Sequence, residues 1–136
     1  IKVYQNLADF DQSLKFSSWI YRIAHNQVIS NHRYLSARPQ VLEVEEDDFL
    51  RIADDLELTQ ELNHVYQAEN IAQILTQLSE VYRSVLVLKF WEDRSYEEIA
   101  DILQKPAGTI ASLIHKAKKE FKTQYSLKFL NSEKYV

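Results

Sequence analysis

The stretch that decides the fold is Ser95-Tyr96-Glu97-Glu98-Ile99-Ala100-Asp101-Ile102-Leu103-Gln104-Lys105-Pro106-Ala107-Gly108-Thr109-Ile110-Ala111-Ser112-Leu113-Ile114-His115-Lys116-Ala117-Lys118-Lys119-Glu120-Phe121. It reads as two helices joined by a tight turn. Ser95 followed three residues later by Glu98 is a capping box, in which hydroxyl and carboxylate each satisfy a backbone N–H at the helix start. Ile99, Ala100, Ile102 and Leu103 supply the apolar face of this first helix. Pro106 suits the first turn of the second, where its missing N–H would be unpaired anyway. In that second helix Ile110, Leu113, Ile114, Ala117 and Phe121 share one face at helical spacing. Gly108, Ser112, His115 and Lys119 fall on the opposite face, with Lys105 and Lys116 beside them. A helix entering a DNA major groove needs slim residues near its start and cations further along. An ordinary helical hairpin with a solvated lysine face has the same spacing.

Upstream, Leu62, Val65, Ile71, Ile74, Leu75 and Leu78 keep helical spacing from about residue 60. Ser79 can cap a following helix that runs to about Trp91 and is apolar on most sides, as the centre of a small bundle would be. Downstream, Leu127, Phe129 and Leu130 either extend the last helix or pack elsewhere. Residues 41–57 carry Glu43, Glu45, Glu46, Asp47, Asp48, Asp54, Asp55 and Glu57, which read as a solvated, self-repelling linker. Phe49, Leu50, Ile52 and Leu56 within it could form a short amphipathic turn. Before the linker, Ser17 or Ser18 can cap a helix with Trp19, Ile20, Ile23, Ala24, Val28 (or Gln27) and Ile29 on its apolar side and Asn26, Ser30 and Arg33 on a polar one. Pro39 sets a boundary after it. Asp9 to Ser13 reads as a polar loop, and Ile1 to Leu7 as the end of an earlier helix.

Composition narrows the class. One glycine and two prolines in 136 residues leave little room for hairpin turns, so an all-α fold is expected, built as two small helical domains. The absence of cysteine excludes disulfides and thiolate metal sites and fits a reducing, cytoplasmic setting. No apolar run is long enough to span a membrane. The net charge of −4 conceals an asymmetry: residues 1–40 carry +3, residues 41–70 carry −9 and residues 71–136 carry +2. The acidic balance therefore does not exclude nucleic acid, because local fields decide binding and both flanks are basic. Enzyme classes fit poorly. There is no phosphate-cradling glycine loop, no cysteine nucleophile and no His-Glu-x-x-His pattern, and the four histidines are scattered. No cofactor or metal is expected, and Glu97-Glu98 is explained by capping and by the positive end of the helix.

Two stretches carry a family resemblance. Leu88, Ser95-Tyr96-Glu97-Glu98-Ile99-Ala100, Leu103, Gly108-Thr109-Ile110, Ser112 and Ala117 resemble region four of the extracytoplasmic-function (ECF) sigma factors, the smallest sigma-70-type subunits of bacterial RNA polymerase. Phe16-Ser17-Ser18-Trp19-Ile20-Tyr21-Arg22-Ile23-Ala24-His25-Asn26, with Ile29 and Arg33, is similar to region two of the same family, and is the more distinctive match. The chain departs from the pattern at Gln104, where a glycine is frequent, at Leu113, Lys116 and Lys118, where arginines are, at His25 (arginine) and at Ser30 (aspartate).

The resemblance implies a non-catalytic promoter-specificity subunit. Its domains would be residues 1–38 (the C-terminal part of region two), 39–60 (linker) and 61–136 (region four). It implies that Lys105, Gly108, Thr109, Ser112, His115, Lys116 and Lys119 face the −35 element. It further implies that Asp9, Phe10, Asp11, Gln12, Ser13, Lys15, Trp19, Asn26 and Arg33 serve −10 recognition, the loop 9–15 forming a pocket for a flipped base. Such a pocket works by stacking and edge recognition of an unstacked base; core packing is the competing role for Trp19 and Phe16. The partners implied are the β and β′ subunits of core polymerase, promoter DNA and an anti-sigma factor. Region two of the family begins well before a position such as Ile1, so residues 1–38 are expected to be an incomplete domain. A stand-alone helix-turn-helix regulator and a helical adaptor are the other readings of the same residues.

Overall fold

A computed structural model describes residues 1–35 and 68–130, with side chains from 1–31 and 70–129. Every regular element among them is helical. The linker expected at 39–60, its acidic run and the proposed amphipathic turn lie outside the described residues.

The C-terminal unit is a small bundle: α3 (Ala68–Gln77), α4 (Glu80–Leu86), α5 (Tyr96–Leu103) and α6 (Ala107–Tyr125). Its core gathers the apolar positions that the helical spacing singled out. Ile71, Ile74, Leu75, Val85, Leu86, Ile99, Ile102, Ile110, Ile114, Ala117 and Phe121 are all buried. Phe121 is among the largest of the wholly buried side chains, and burial of such a ring stabilises by about 1.5–3 kcal/mol. Leu113 is half-buried and packs against this core.

Local chemistry sets the ends of these helices. Ser79 caps α4, its hydroxyl accepting from the Tyr82 N–H. The Arg83 guanidinium closes the other side of the α3–α4 corner. Its Nε donates to the Leu75 carbonyl at 2.8 Å, and Nη2 to those of Thr76 and Leu78 at 3.1 Å each. Carbonyls at a helix C-terminus have no intrahelical donor, so one side chain here satisfies three such groups around the corner. Beyond α4 the helix widens into a π-helical turn, Val87–Trp91, closed by the Glu92 N–H to the Val87 carbonyl at 3.0 Å. The wider turn lets Leu88 and Phe90, only two residues apart, both reach the core.

The capping box of α5 forms as expected: the Glu98 N–H donates to Ser95 Oγ at 3.2 Å, and the Ser95 N–H to Glu98 Oε2 at 3.0 Å. Helix α5 ends on Gln104, in the left-handed region at φ 53°, with the Lys105 N–H reaching back to the Ala100 carbonyl at 3.0 Å. This is the closure glycine serves best, and Gln104 adopts it with a side chain. Pro106 is the residue just before α6 rather than its first helical residue: its ψ of 144° is extended, and its carbonyl accepts from Thr109 and Ile110. The tail extends the last helix. Tyr125 is buried, a π-helical turn covers Ser126–Leu130, and Phe129 packs on Tyr125.

The N-terminal unit comprises α1 (Lys2–Gln5), a 3-10 turn (Leu7–Asp9) and α2 (Phe16–Leu35). Helix α1 buries no residue, and a shallow groove of about 250 Å³ between it and α2 is lined by Val3, Ile20, Ile23 and Ala24. The expected cap at Ser17 or Ser18 is not used. The helix starts at Phe16, two residues before a cap at Ser17 would start it, the Trp19 N–H bonds to the Lys15 carbonyl at 3.1 Å, and Ser18 is a buried first-turn residue whose hydroxyl finds no partner. Val28, expected on the apolar side of this helix, is exposed.

The two units touch. Helix α2 lies along α5; at this joint Tyr21 packs against the bundle core and carries a polar cluster at its hydroxyl. The Tyr21 hydroxyl donates to Glu92 Oε2 at 2.7 Å, Arg94 Nη2 donates to that same hydroxyl at 3.1 Å, and the guanidinium stacks over the Tyr21 ring at 4.3 Å. At the end of the joint Lys15 Nζ lies 3.4 Å from Glu98 Oε1.

Candidate nucleic-acid interface

Helix α6 is 19 residues long and two-sided. With Ile110, Ile114, Ala117 and Phe121 fixed in the core, the opposite side must face outward. Gly108, Thr109, Ser112, His115, Lys116 and Lys119 are all exposed there, and Lys105 is exposed on the turn that precedes it. The structure thus brings all seven residues expected at the −35 element to one accessible surface. Slim side chains occupy the first two turns and cations the later ones. No side chain caps the start of α6, so its first N–H groups are left for solvent or an anion, next to the Thr109 hydroxyl. Gly108 takes no left-handed conformation, and a Cβ there would meet nothing within 4 Å. Nothing inside the protein requires a glycine at this point, and its lack of a side chain leaves the backbone open to close approach from outside.

The loop expected at the −10 element is shaped from within. Asp11 Oδ1 accepts from the Ser13 N–H at 2.9 Å, and the Leu14 N–H closes on the Asp11 carbonyl at 3.0 Å. The backbone N–H of Ser13 holds the Asp11 carboxyl below its ordinary range, with smaller help from the Ser13 side chain and Arg22. Phe10, Phe16 and Trp19 form an aromatic cluster, with ring centroids 5.3 Å apart for Phe10 on Phe16 and on Trp19, and 5.6 Å for Phe16 on Trp19. Trp19 is only 3% exposed, so in this conformation it anchors the loop to α2 and presents no face to a base. Phe16, at 48%, keeps an open face. Asp9, Asp11, Gln12, Ser13 and Lys15 are exposed on the loop, and Phe10 is half-buried beneath it. Asn26 is exposed on α2, about 15 Å further along the helix at about 1.5 Å per residue. Arg33 belongs to the same helix; its side chain lies outside the described residues.

Lys15 is exposed yet committed, through Glu98, to the other unit. Glu98 is held below its ordinary carboxyl value first by the Ser95 N–H and then by Lys15. Tyr21 is pushed up from its ordinary value by its hydrogen bond to Glu92 and by burial. His25, half-buried on α2, is pushed down by burial, against a smaller opposing pull from Glu80 at the start of α4. Sequence reasoning missed Tyr21, Glu92 and Arg94 as a set, because nothing local links residues more than 70 positions apart. Among the described residues no group of His, Asp and Glu could hold a metal ion, and no helix is long and apolar enough to cross a membrane.

Comparison with known proteins gives the same two-part picture. The family model of sigma-70 region 4 matches residues 68–121, the bundle just described. The ECF RNA polymerase sigma factor SigW of Bacillus subtilis (strain 168) is 32% identical over 130 residues, 91% of this chain and 70% of that protein. RNA polymerase sigma factor YlaC of the same organism is 30% identical over 122 residues, 90% of this chain and 70% of that one. Among solved structures, sigma factor RpoE, co-crystallised with the anti-sigma factor NepR from Bartonella quintana, superposes with a TM-score of 0.59 over 93% of this chain and 76% of that one. At 16% identity the likeness is one of fold. With relatives of this identity aligned over nearly its whole length, the chain belongs to the ECF family of RNA polymerase sigma factors.

Proposed function

We propose that this chain directs core RNA polymerase to promoters, reading the −35 element with α6 and the −10 element with the loop 9–15 and α2. The observation that carries the reading is the single exposed row Gly108, Thr109, Ser112, His115, Lys116 and Lys119 on a helix whose other side packs into the core. Ser112 and His115 sit where base edges would be reached, while Lys105, Lys116 and Lys119 are placed for phosphates. Phosphate contacts position a protein on the duplex, and base contacts specify the site. The Thr109 hydroxyl and the open N–H groups of the first turn add an anion contact at the helix start. On the loop, Asp11 and Ser13 hold a tight turn beside the half-exposed Phe16 ring, which offers an unpaired base one stacking face. The chain supplies specificity, and phosphodiester chemistry belongs to the polymerase. Its partners are then the β and β′ subunits, promoter DNA and an anti-sigma factor, and its place of work is the cytoplasm.

The test is in vitro transcription on fragmented genomic DNA from the source organism by core polymerase, with and without the chain, followed by mapping of RNA 5′ ends. The expected result is a set of new start sites sharing −35 and −10 sequences. No new starts, together with tight duplex binding by the free chain as a dimer, would instead establish a stand-alone regulator.

A further inference from the structure

Of the α6 positions where the family often carries arginine, Leu113, Lys116 and Lys118, two are turned toward the protein itself. Leu113 packs against the core, and Lys118 Nζ lies over the Phe90 ring, 5.2 Å from its centroid. Lys116 alone of these is exposed. Nearer the helix start the exposed residues are Ala107, Gly108, Thr109, Ala111 and Ser112. The N-terminal residues of a recognition helix are the ones that meet base edges. None of these is an arginine, lysine, asparagine or glutamine, the side chains that grip guanine or adenine by paired hydrogen bonds.

Hydroxyls and methyls remain. A hydroxyl both donates and accepts, so Thr109 and Ser112 can pair with any base edge and discriminate little. A methyl discriminates, because thymine alone presents a C5-methyl in the major groove, and alanine is a partner for it. Helical side chains lean toward the N-terminus, so Ala111 and Ser112 lean over Gly108, three and four residues back. Gly108 brings no side chain there, and the space its Cβ would take is open. The Ala111 methyl and the Ser112 hydroxyl therefore border one shallow dent on the outward surface of α6. Promoter DNA as the partner does not rest on these residues: the bundle matches sigma-70 region 4, and the chain belongs to the sigma factors.

We infer, on the proposed reading of −35 by α6, that Ala111 is a specificity-determining residue whose methyl, beside the dent at Gly108, seats the C5-methyl of a thymine in the −35 element. An A·T pair is then required at the facing position, and a guanine there gains no contact. The lysines later on α6 hold the backbone, and the choice of sequence falls to the helix start.

Uracil pairs as thymine does and lacks only the C5-methyl. The test reconstitutes holoenzyme from core polymerase and the full chain. It measures competition between a promoter found in the transcription assay and copies carrying uracil in place of each −35 thymine in turn, on either strand. Wild type should prefer thymine about fourfold at the facing position, the share of one buried methyl group. Ala111→Gly should bring that ratio close to one; the ratio is read within each variant, so a general loss of affinity from the weakened helix cancels. Gly108→Ala should melt no earlier than wild type, because alanine suits a helix better and meets nothing within 4 Å. By filling the dent it should nonetheless lower the same ratio. Lys119→Ala should weaken thymine and uracil duplexes alike. Uracil tolerated at every −35 position by wild type would overturn the assignment, as would a ratio that Ala111→Gly leaves intact or a −35 consensus without an A·T pair. A ratio left intact by Gly108→Ala would overturn the dent. These results leave the proposed function standing as long as Lys119→Ala still weakens binding. Lys119→Ala without effect on any duplex would take α6 away from the −35 element and overturn both readings together.

Discussion

Replacing Arg83 by alanine should destabilise the region-four unit far more than a half-exposed surface residue ordinarily would. The guanidinium donates to the carbonyls of Leu75, Thr76 and Leu78 at 2.8–3.1 Å. Hydrogen bonds from charged donors contribute about 1.5–3 kcal/mol when well enclosed, and less where solvent competes. The Leu75 and Leu78 bonds are partly buried and the Thr76 bond is exposed, so the three together are worth about 2–3 kcal/mol and not the full sum. For a helical unit of this size that is roughly a 10–20 °C fall in Tm. Arg83→Lys keeps the charge but offers one compact donor in place of a planar fork, and should recover less than half. Urea titrations followed by far-UV circular dichroism measure the difference. Binding of a −35 duplex under strongly native conditions should stay within about twofold, because no atom of Arg83 belongs to the exposed row of α6. A stability loss for Arg83→Ala within the ~0.5 kcal/mol of an ordinary surface change would refute the reasoning, and show that water satisfies those carbonyls equally well.

Gln104→Gly should stabilise the chain by about 0.5–1 kcal/mol, since relief of the left-handed backbone outweighs the added freedom of the unfolded state; thermal melts check this. Lys119→Ala should weaken binding to every −35 duplex alike and lower the salt slope by about one, whereas Ser112 or His115 variants should reorder the preferred sequences in a titration of duplex variants at several salt concentrations. Leu113→Arg places a charge in the position where the family often carries arginine, but here the side chain packs on the core, so the expected outcome is a lower melting temperature and no gain in affinity. Acid should weaken the chain in two windows. His25 has a folded pKa below its ordinary 6.5, so the folded state resists protonation and loses stability as the pH falls below that value; His25→Gln removes this loss. Glu98 has a folded pKa below its ordinary 4.5, so its capping contribution is complete above that value and disappears as the pH falls through the folded one; Glu98→Gln flattens the lower window of a stability–pH profile.

What could be read from the sequence was local. The Ser95–Glu98 box, the inward face of α6 and its outward row follow from spacings of three and four residues, and backbone geometry alone converts these into contacts. Gln104 showed in the sequence only as a departure from a frequent glycine; its left-handed backbone is a finding of the structure. The start of α2 was misplaced because the serines after Phe16 look like caps, whereas the helix already begins at Phe16, whose ring packs in the aromatic cluster with Phe10 and Trp19. The Tyr21–Glu92–Arg94 joint gave no sequence signal: each residue is unremarkable in its own helix or turn, and only tertiary folding makes them neighbours. On the loop, the pattern identified the polar residues but not that Lys15 would be taken up by Glu98 of the other unit.

The widened turn at Val87–Trp91 is also a place where the chain length can vary at little expense. A π-helical turn spends an extra residue over nearly the rise of an ordinary one, and the helical backbone on either side keeps its direction. Loss of one residue there would tighten the turn to α geometry and turn only a few side chains, exchanging the inward pair Leu88 and Phe90 for a single inward position. A deletion elsewhere in α4 or α6 would rotate the rest of the helix by about 100° and carry core residues into water. Single-residue insertions and deletions that separate lineages of this family should therefore concentrate at this turn, upstream of α6, whose register against the core must not move.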